Sequence, residues 1–531
     1  MRRPARSALA CVLLASAGGL GARCGGGSGG GGAAPRIAIS NADPRCLTLS
    51  SAFPTGFDLL PDGRAVVAQD TPPSALGLDL SGSVPALLAT RSIPVVPADS
   101  DGDGVDDGVA SASAGFFPLT PRLGSVEAVA PDLVLVSASG YEELLAFEPA
   151  SGAQRELRVE TPPAEAAGSW PFLPAPGTSA IRRALSTRRC IHPPTGVDSL
   201  GDPIPLEPRC AAATPAYFSS FTAGSAVAAG RLFVATSNLR SSARASFLPG
   251  TLLVYELDLG ADPPRARPDP QDPVIFTTGF NPTQVTPHRN ALGREILLVS
   301  VSGAIGAGSG PGNLRSDAAV DVVDAATRRL VASIPLGRAG PSFDDLAIDP
   351  GGRIALLGSS SQRQIFAVDL AALDDPALFA GLTSGTPAPP LRLDGSTPGA
   401  ADARIFTAAA PLVLPDRADG PPSSECDGFT HVAVGAQGAR AFAVDFCDGS
   451  LAVLSLDLGD PRVPLPRSRI SVLGSEAIFA PNVPASLTRL RAPGILRVRP
   501  GRPGIDFQGP DGFVLAGQPE GAVCALRLDS L

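Results

Sequence analysis

No lysine occurs among the 531 residues; all 42 basic side chains are arginine. Schiff-base chemistry and lysine general bases are therefore excluded. Histidine is nearly absent, with only His192, His288 and His431, so a three-histidine zinc centre would have to use every one. Aromatic content is 5%, charged content 18%, and the net charge −9. A phosphate backbone repels such a surface, and no basic run interleaved with aromatics occurs, which removes nucleic acid as a partner class. Beyond the N-terminus, no apolar run is long enough for a transmembrane helix. A Gly-x-Ser-x-Gly elbow, an HExxH pair and a phosphate-binding Gly loop with Lys are also missing.

What the chain has is apolar residues, at 44%, with 59 Gly and 56 Pro between them. One short unit recurs: an apolar strand, a Gly- or Asp-centred turn, a second apolar strand, then a third closing on a hydrophobic–Asp pair. It reads Phe57-Asp-Leu-Leu-Pro-Asp-Gly-Arg-Ala-Val-Val-Ala and ends at Asp79-Leu80. It returns as Leu346-Ala-Ile-Asp-Pro-Gly-Gly-Arg-Ile-Ala-Leu-Leu, closing at Asp369-Leu370. Val, Leu, Ile and Phe runs suit strands, and Pro-Asp-Gly or Pro-Gly-Gly suits tight turns. Seven such units span 57–80, 126–147, 226–259, 295–336, 346–370, 432–458 and 505–528.

The pattern resembles the YVTN/WD-like β-propeller superfamily across residues 45–531. The resemblance implies an all-β, seven-bladed β-propeller closed by an N-terminal strand pairing with the last blade. A pair of β-sandwiches is the competing arrangement. The propeller domain is expected over 36–531, with long Pro/Gly/Ser-rich inserts near 160–217, 376–424 and 459–500. Trp170, the sole Trp, lies in the first insert. It suits a ligand-stacking anchor or, more simply, a plug against the ring.

Arg2, Arg3 and Arg6 precede a short apolar stretch from Ala8 to Ala17, the make-up of an export signal over 1–23. Cys24 and a Gly/Ser-rich tether to residue 35 follow. This resembles a bacterial lipoprotein signal, which implies lipid on Cys24 and, with no Asp after it, an outer-membrane protein facing periplasm or cell surface. Arg23 stands where lipoprotein signals carry a small residue; ordinary cleavage near Gly21 would instead release the chain.

Six cysteines remain, an even number suited to disulfides in an exported protein. Cys46 precedes the first unit and Cys524 lies in the last strand pair, so a bond between them would lock the ring. The chain-entropy estimate for so long a loop is roughly 5–6 kcal/mol, as an upper figure. Cys190 and Cys210 would pair within an insert. Cys426 and Cys447 flank a hairpin turning at Gly435-Ala-Gln-Gly438, and counting outward from Ala436 and Gln437 sets them opposite each other.

The strongest chemical motif is Asp99-Ser-Asp-Gly-Asp-Gly-Val-Asp-Asp107. Oxygens at alternate positions with a Gly to turn the chain wrap a hard cation such as Ca²⁺: Asp99, Asp101, Asp103, the Val105 carbonyl and Asp107. Ala110 occupies the place of the closing Glu of an EF-hand, and the spacing resembles the calcium loops of thrombospondin type 3 and FG-GAP repeats. The alternative is a solvated acidic turn. Asp344-Asp345 and Asp374-Asp375 are sequence neighbours and make no catalytic dyad.

These features lead to an exported, lipid-anchored, monomeric propeller. It is expected to act as a non-catalytic binding or scaffold module, engaging an envelope protein or an extracellular glycan and touching the membrane only through its anchor. A periplasmic propeller hydrolase acting on a lactone or similar small molecule is the alternative. Calcium is expected to raise the melting temperature of the protein, and Asp101→Ala with Asp103→Ala to remove that rise; a wild-type melt indifferent to calcium refutes the site.

Overall fold

The computed structural model describes residues 38–531 except 50–51, 94–121, 141, 153, 156–157, 160–184, 188, 205, 208–209, 211–213, 241–245, 272, 305–315, 338–345, 360–363, 383–388, 395–411, 414–428, 446–448, 461–469, 479–481, 483–490, 500–509 and 519–520. Seven antiparallel sheets form the blades of a propeller. Blade 1 runs Ala52–Leu59, Arg64–Thr71, Pro73–Asp79 and Ala86–Ser92 from the axis outward. Blade 2 is built on Leu123–Ala130, Leu133–Ala138 and Glu143–Phe147, with an outer strand divided between Gln154–Arg155 and Leu185–Ser186. Blade 3 has Thr222–Ala228, Arg231–Thr236 and Pro249–Asp258, again with a divided outer strand, Arg265–Pro268 and Val274–Phe280.

Blade 4 follows as Pro282–Arg289, Glu295–Val301, Ala318–Asp324 and Arg329–Gly337. Blade 5 is Ala347–Ile348, Ile354–Gly358, Gln364–Asp369 and Leu412–Val413. Blade 6 is Phe429–Val434, Arg440–Asp445, Ser450–Leu456 and Ile470–Ala477. Blade 7 takes Arg491–Val498, Gly512–Gln518 and Ala522–Leu526 from the C-terminal end, and its outer strand is Arg45–Thr48 from the other end.

The middle strands read as unbroken apolar runs because both of their faces are buried. Along Arg64–Thr71, Val66 and Ala68 pack toward blade 2, while Ala65 and Val67 pack toward blade 7. The same division at every blade yields seven separate hydrophobic clusters, one at each seam. At the closing seam, Leu47 and Leu49 join Phe513, Leu515 and Val523 against Phe57, Val67 and Leu78.

In blades 4 and 5 the Gly-Arg and hydrophobic–Asp pairs form a clamp, whereas in blade 1 Arg64 pairs with Asp62 in its own turn. Gly352 holds φ +67 in the turn before the second strand of blade 5, a conformation that carries a penalty for side chains with a Cβ. The next residue, Arg353, ion-pairs with Asp369 at 2.9 Å, and Asp369 also accepts the Ala371 N–H at 3.2 Å. In blade 4 the same parts are Gly293, Arg294 and Asp324: Arg294 meets Asp324 at 2.7 Å, and Asp324 caps Thr327. The third-strand Asp thus ends its own strand and ties down the start of the second.

Strand assignment differs from the sequence reading in two blades. The fourth unit begins one strand earlier, at Pro282–Arg289, whose two Pro and one His hide its strand character. The seventh begins at Arg491–Val498, interrupted by Pro493-Gly494, and it lies with Ile470–Ala477 inside the stretch 459–500. The blade 6 hairpin closes Gly435 onto Arg440 and pairs Val434 with Ala441. Its register is therefore displaced by two residues from one centred on Ala436 and Gln437, and it slips again between Phe429 and His431. The loop is longer because Gly438, at φ +72, extends the turn. Cys426 and Cys447 lie outside the described residues.

Cys46 sits opposite Cys524 across the closing strand pair and is bonded to it. Both sulfurs are buried. Replacing the pair by Cys46→Ala and Cys524→Ala should lower unfolding stability by several kcal/mol, with about 5–6 as the ceiling. Denaturant titration measures it, and an unchanged midpoint contradicts the role assigned to this bond.

Candidate functional site

Each inner strand starts at one face of the ring, here called the upper face, and ends in the turn to the second strand at the lower face. Near their upper ends the inner strands of blades 1, 2, 3, 4, 6 and 7 each carry a register shift, at Pro54/Gly56, Leu123/Val126, Thr222/Ser225, Pro282/Gln284, Phe429/His431 and Pro493/Ile495. Such bulges bend a strand and re-aim its side chains. They draw neighbouring inner strands together: a Cβ at Gly56 would lie 1.9 Å from the Gly124 carbonyl oxygen, and one at Gly224 would lie 1.8 Å from Gln284 Oε1.

Gly224 thereby lets the Gln284 side chain of blade 4 cross blade 3 and accept from the Ser125 hydroxyl of blade 2 at 3.3 Å. A second polar chain runs through the other half of the ring. Arg497 of blade 7 donates to His431 Nε2 of blade 6 and faces Asp58 of blade 1 at 3.8 Å. Asp58 in turn accepts the Ala128 N–H of blade 2 at 2.9 Å. Amide, hydroxyl, guanidinium, imidazole and carboxylate groups from separate blades are thus held against the axis by inner strands that cannot move independently.

At the upper face lie Ile93 and Arg122 between blades 1 and 2, the described part of 187–221 between blades 2 and 3, and Ser237, Asn238 and Leu248 within blade 3. The connection 187–221 is stapled by the Cys190–Cys210 disulfide and by pairing of Cys190–Ile191 with Tyr217–Phe218. It is fixed to blade 3 by Tyr217, whose hydroxyl donates to the Pro249 carbonyl at 2.7 Å, and by Arg189, stacked 5.1 Å over the Tyr255 ring. At the lower face, first and second strands join through short turns such as Pro61–Gly63 and Ala229–Gly230. After blade 5, Leu391–Arg392 adds a parallel strand to the outer edge of blade 4.

Acidic groups gather at the upper rim of the seam between blades 1 and 2. Asp70 accepts the Leu123 N–H at 2.6 Å; burial raises its pKa to about 6, although that bond and Arg122 pull the other way. Burial also raises the Glu143 carboxyl, with the charge of Glu142 adding to it.

The residues singled out from sequence are dispersed. His192 is exposed in the stapled connection. His288 is half-buried near the lower end of blade 4, where burial lowers its pKa against the pull of Asp374 and Asp349. His431 is buried on blade 6. Among the described residues, no three His, Cys, Asp or Glu side chains group as a metal site. Asp374 accepts the Ala291 N–H and Asp375 that of Ala377. Cys24, Asp99, Asp101, Asp103, Val105, Asp107 and Trp170 lie outside the described residues. Sequence reasoning passed over Asp58, Gln284 and Arg497. A lone charge inside an apolar strand, as in Phe57-Asp58-Leu59 and Leu496-Arg497-Val498, is the signal that marks two of them.

No protein-family model and no curated protein matches the chain. Among solved structures it is similar to the hydrazine synthase of Kuenenia stuttgartiensis, at 9% identity and a TM-score of 0.46, covering 90% of this chain and 97% of that one. It is also similar to the Cps50 (Swd1) β-propeller domain of Myceliophteria thermophila, at 11% identity and TM-score 0.43, covering 91% and 98%. A third likeness is to virginiamycin B lyase from Staphylococcus aureus, at 8% and TM-score 0.41, covering 91% and 99%. At such identities and scores these likenesses carry no functional argument.

Asp70 makes stability depend on pH. Its folded pKa lies above the ordinary value of 3.8, so folding takes up a proton between about pH 4 and pH 6, and stability falls as pH rises through that window. Asp70→Asn, which keeps an acceptor for the Leu123 N–H, should flatten the fall in urea titrations. An unaltered profile contradicts this assignment.

Proposed function

We propose that this chain is an exported, non-catalytic binding module of the cell envelope that engages its partner through the upper face. The observation that carries the reading is where the chain enters the ring. Ile39–Ala42 lies at the lower face beside Leu528–Ser530, with the Arg527 N–H donating to the Ala42 carbonyl at 2.8 Å. A tether held by lipid at Cys24 therefore approaches from below and presents the upper face, with its long connections and stapled insert, away from the membrane. Rigid blades carrying long loops at one end are a common way to display a binding surface.

The partner is an envelope protein or an extracellular glycan, and one ring binds it as a monomer. Calcium on Asp99, Asp101, Asp103, Val105 and Asp107 stiffens the stretch that joins Ile93 to Arg122. Photo-crosslinking side chains placed at Gly140 on the upper face and at Gly63 on the lower face, in a cell exporting the protein, test the reading. Adducts from Gly140 and none from Gly63 are expected. Adducts from Gly63 alone contradict it, and lactone hydrolysis by the purified protein moves the assignment to the hydrolase class.

A further inference from the structure

Glu143 begins the third strand of blade 2, paired with Ala138 on one side and Ser186 on the other. It is 5% exposed, and its Oε2 is buried without a hydrogen-bond partner. Its neighbours Ala138 and Leu145 belong to the apolar cluster of the seam with blade 1, so an ionised carboxylate there leaves Oε2 without water or a partner. Ser139, Gly140 and Glu142, which precede it, lie at the upper face. The Ser139 N–H donates to the Arg122 carbonyl at 3.1 Å, and the Glu142 carbonyl accepts the Thr187 N–H at 2.8 Å. The first bond holds the end of the 93–122 connection, and the second holds the start of the 187–221 connection.

We propose that Glu143 is a proton-operated latch on the upper rim of the blade 1–blade 2 seam, closed while its carboxyl is neutral and opened when it ionises. An ionised Glu143 reaches water by peeling the first residue of its strand away from Ala138 and Ser186. That movement breaks the Glu142–Thr187 bond and frees the foot of the stapled connection. The rest of the blade remains held by Leu144 and Leu145, which face the two seams.

The charged groups around the latch come from four elements. Glu142 lies in its own turn and adds like charge to Glu143, whereas Asp70 at the end of the second strand of blade 1 and Arg122 ahead of the inner strand of blade 2 act on each other. Arg189, next along the stapled connection, is stacked on Tyr255. Among the described residues no cation lowers the Glu143 pKa: burial and Glu142 both raise it.

The sign follows from linkage. The open carboxyl titrates near its ordinary 4.5 and the closed one above it, so opening rises about tenfold per pH unit between those two values and levels off outside them. The inference stands apart from what the upper face binds.

Amide hydrogen exchange at Thr187 and Glu143 from pH 5 to pH 9, in the wild type and in Glu143→Gln, tests the latch. The variant at the same pH cancels the intrinsic base-catalysed rate. Between 4.5 and the raised pKa of the closed carboxyl, wild-type protection at these two amides should fall by about tenfold per unit relative to the variant, while Val134 and Leu135 in the neighbouring strand keep theirs. Equal protection in the two proteins at every pH overturns the proposal. So does a carboxyl-carbon titration of the unmodified protein placing Glu143 at or below 4.5, a reading that needs no variant to fold.

Discussion

Everything in this molecule depends on strands that are apolar on both faces. A blade whose second and third strands read Arg64-Ala-Val-Val-Ala and Ala75-Leu-Gly-Leu cannot shield itself with a single neighbour. It must be packed on the left and on the right, and a row of such blades has no satisfactory end. Curving the row into a ring is the solution, and the seven seam clusters show it carried through without a gap. The last seam is special because its two sides come from opposite ends of the chain. There Arg45–Thr48 completes blade 7, and Cys46–Cys524 ties the ends together in a fully buried position.

Closure has a price at the axis, where inner strands from all sides converge. The bulges near their upper ends, with glycine at 56 and 224 where backbone and side chains meet, relieve that crowding. They also bring Gln284 to Ser125 and Arg497 to His431 and Asp58, groups far apart in sequence. The polar belt at the axis follows from how the ring closes, and the upper connections stand on a base whose parts are mutually locked. Variation among loops can then alter what the face recognises while the seams stay as they are.

The repeat was legible because its parts have local causes. A Gly at positive φ, an Arg directly after it and an Asp ending the third strand are close in sequence, and the clamp of Arg294 with Asp324 or Arg353 with Asp369 follows from that spacing. All-β architecture and seven blades were therefore within reach. Pro282–Arg289 and Arg491–Val498 were not: their Pro and Gly serve the bulges of inner strands, a need that arises only once the ring exists. The axial contacts were hidden for the same reason, since Arg497 and Asp58 become neighbours only across the closing seam. Glu143 is a further case. In sequence it follows Glu142 and looks like half of a solvated pair, yet strand pairing turns it into the seam.

The measurement that reaches the central claim most directly is calorimetric unfolding of a chain from which residues 38–49 have been removed, with Cys524→Ala to avoid a free thiol. Without its closing strand the ring should melt lower and in more than one step, blades 7 and 1 giving way before the others. A single transition at the midpoint of the intact chain would mean that the blades hold together without closure, and the account given for this fold would be wrong.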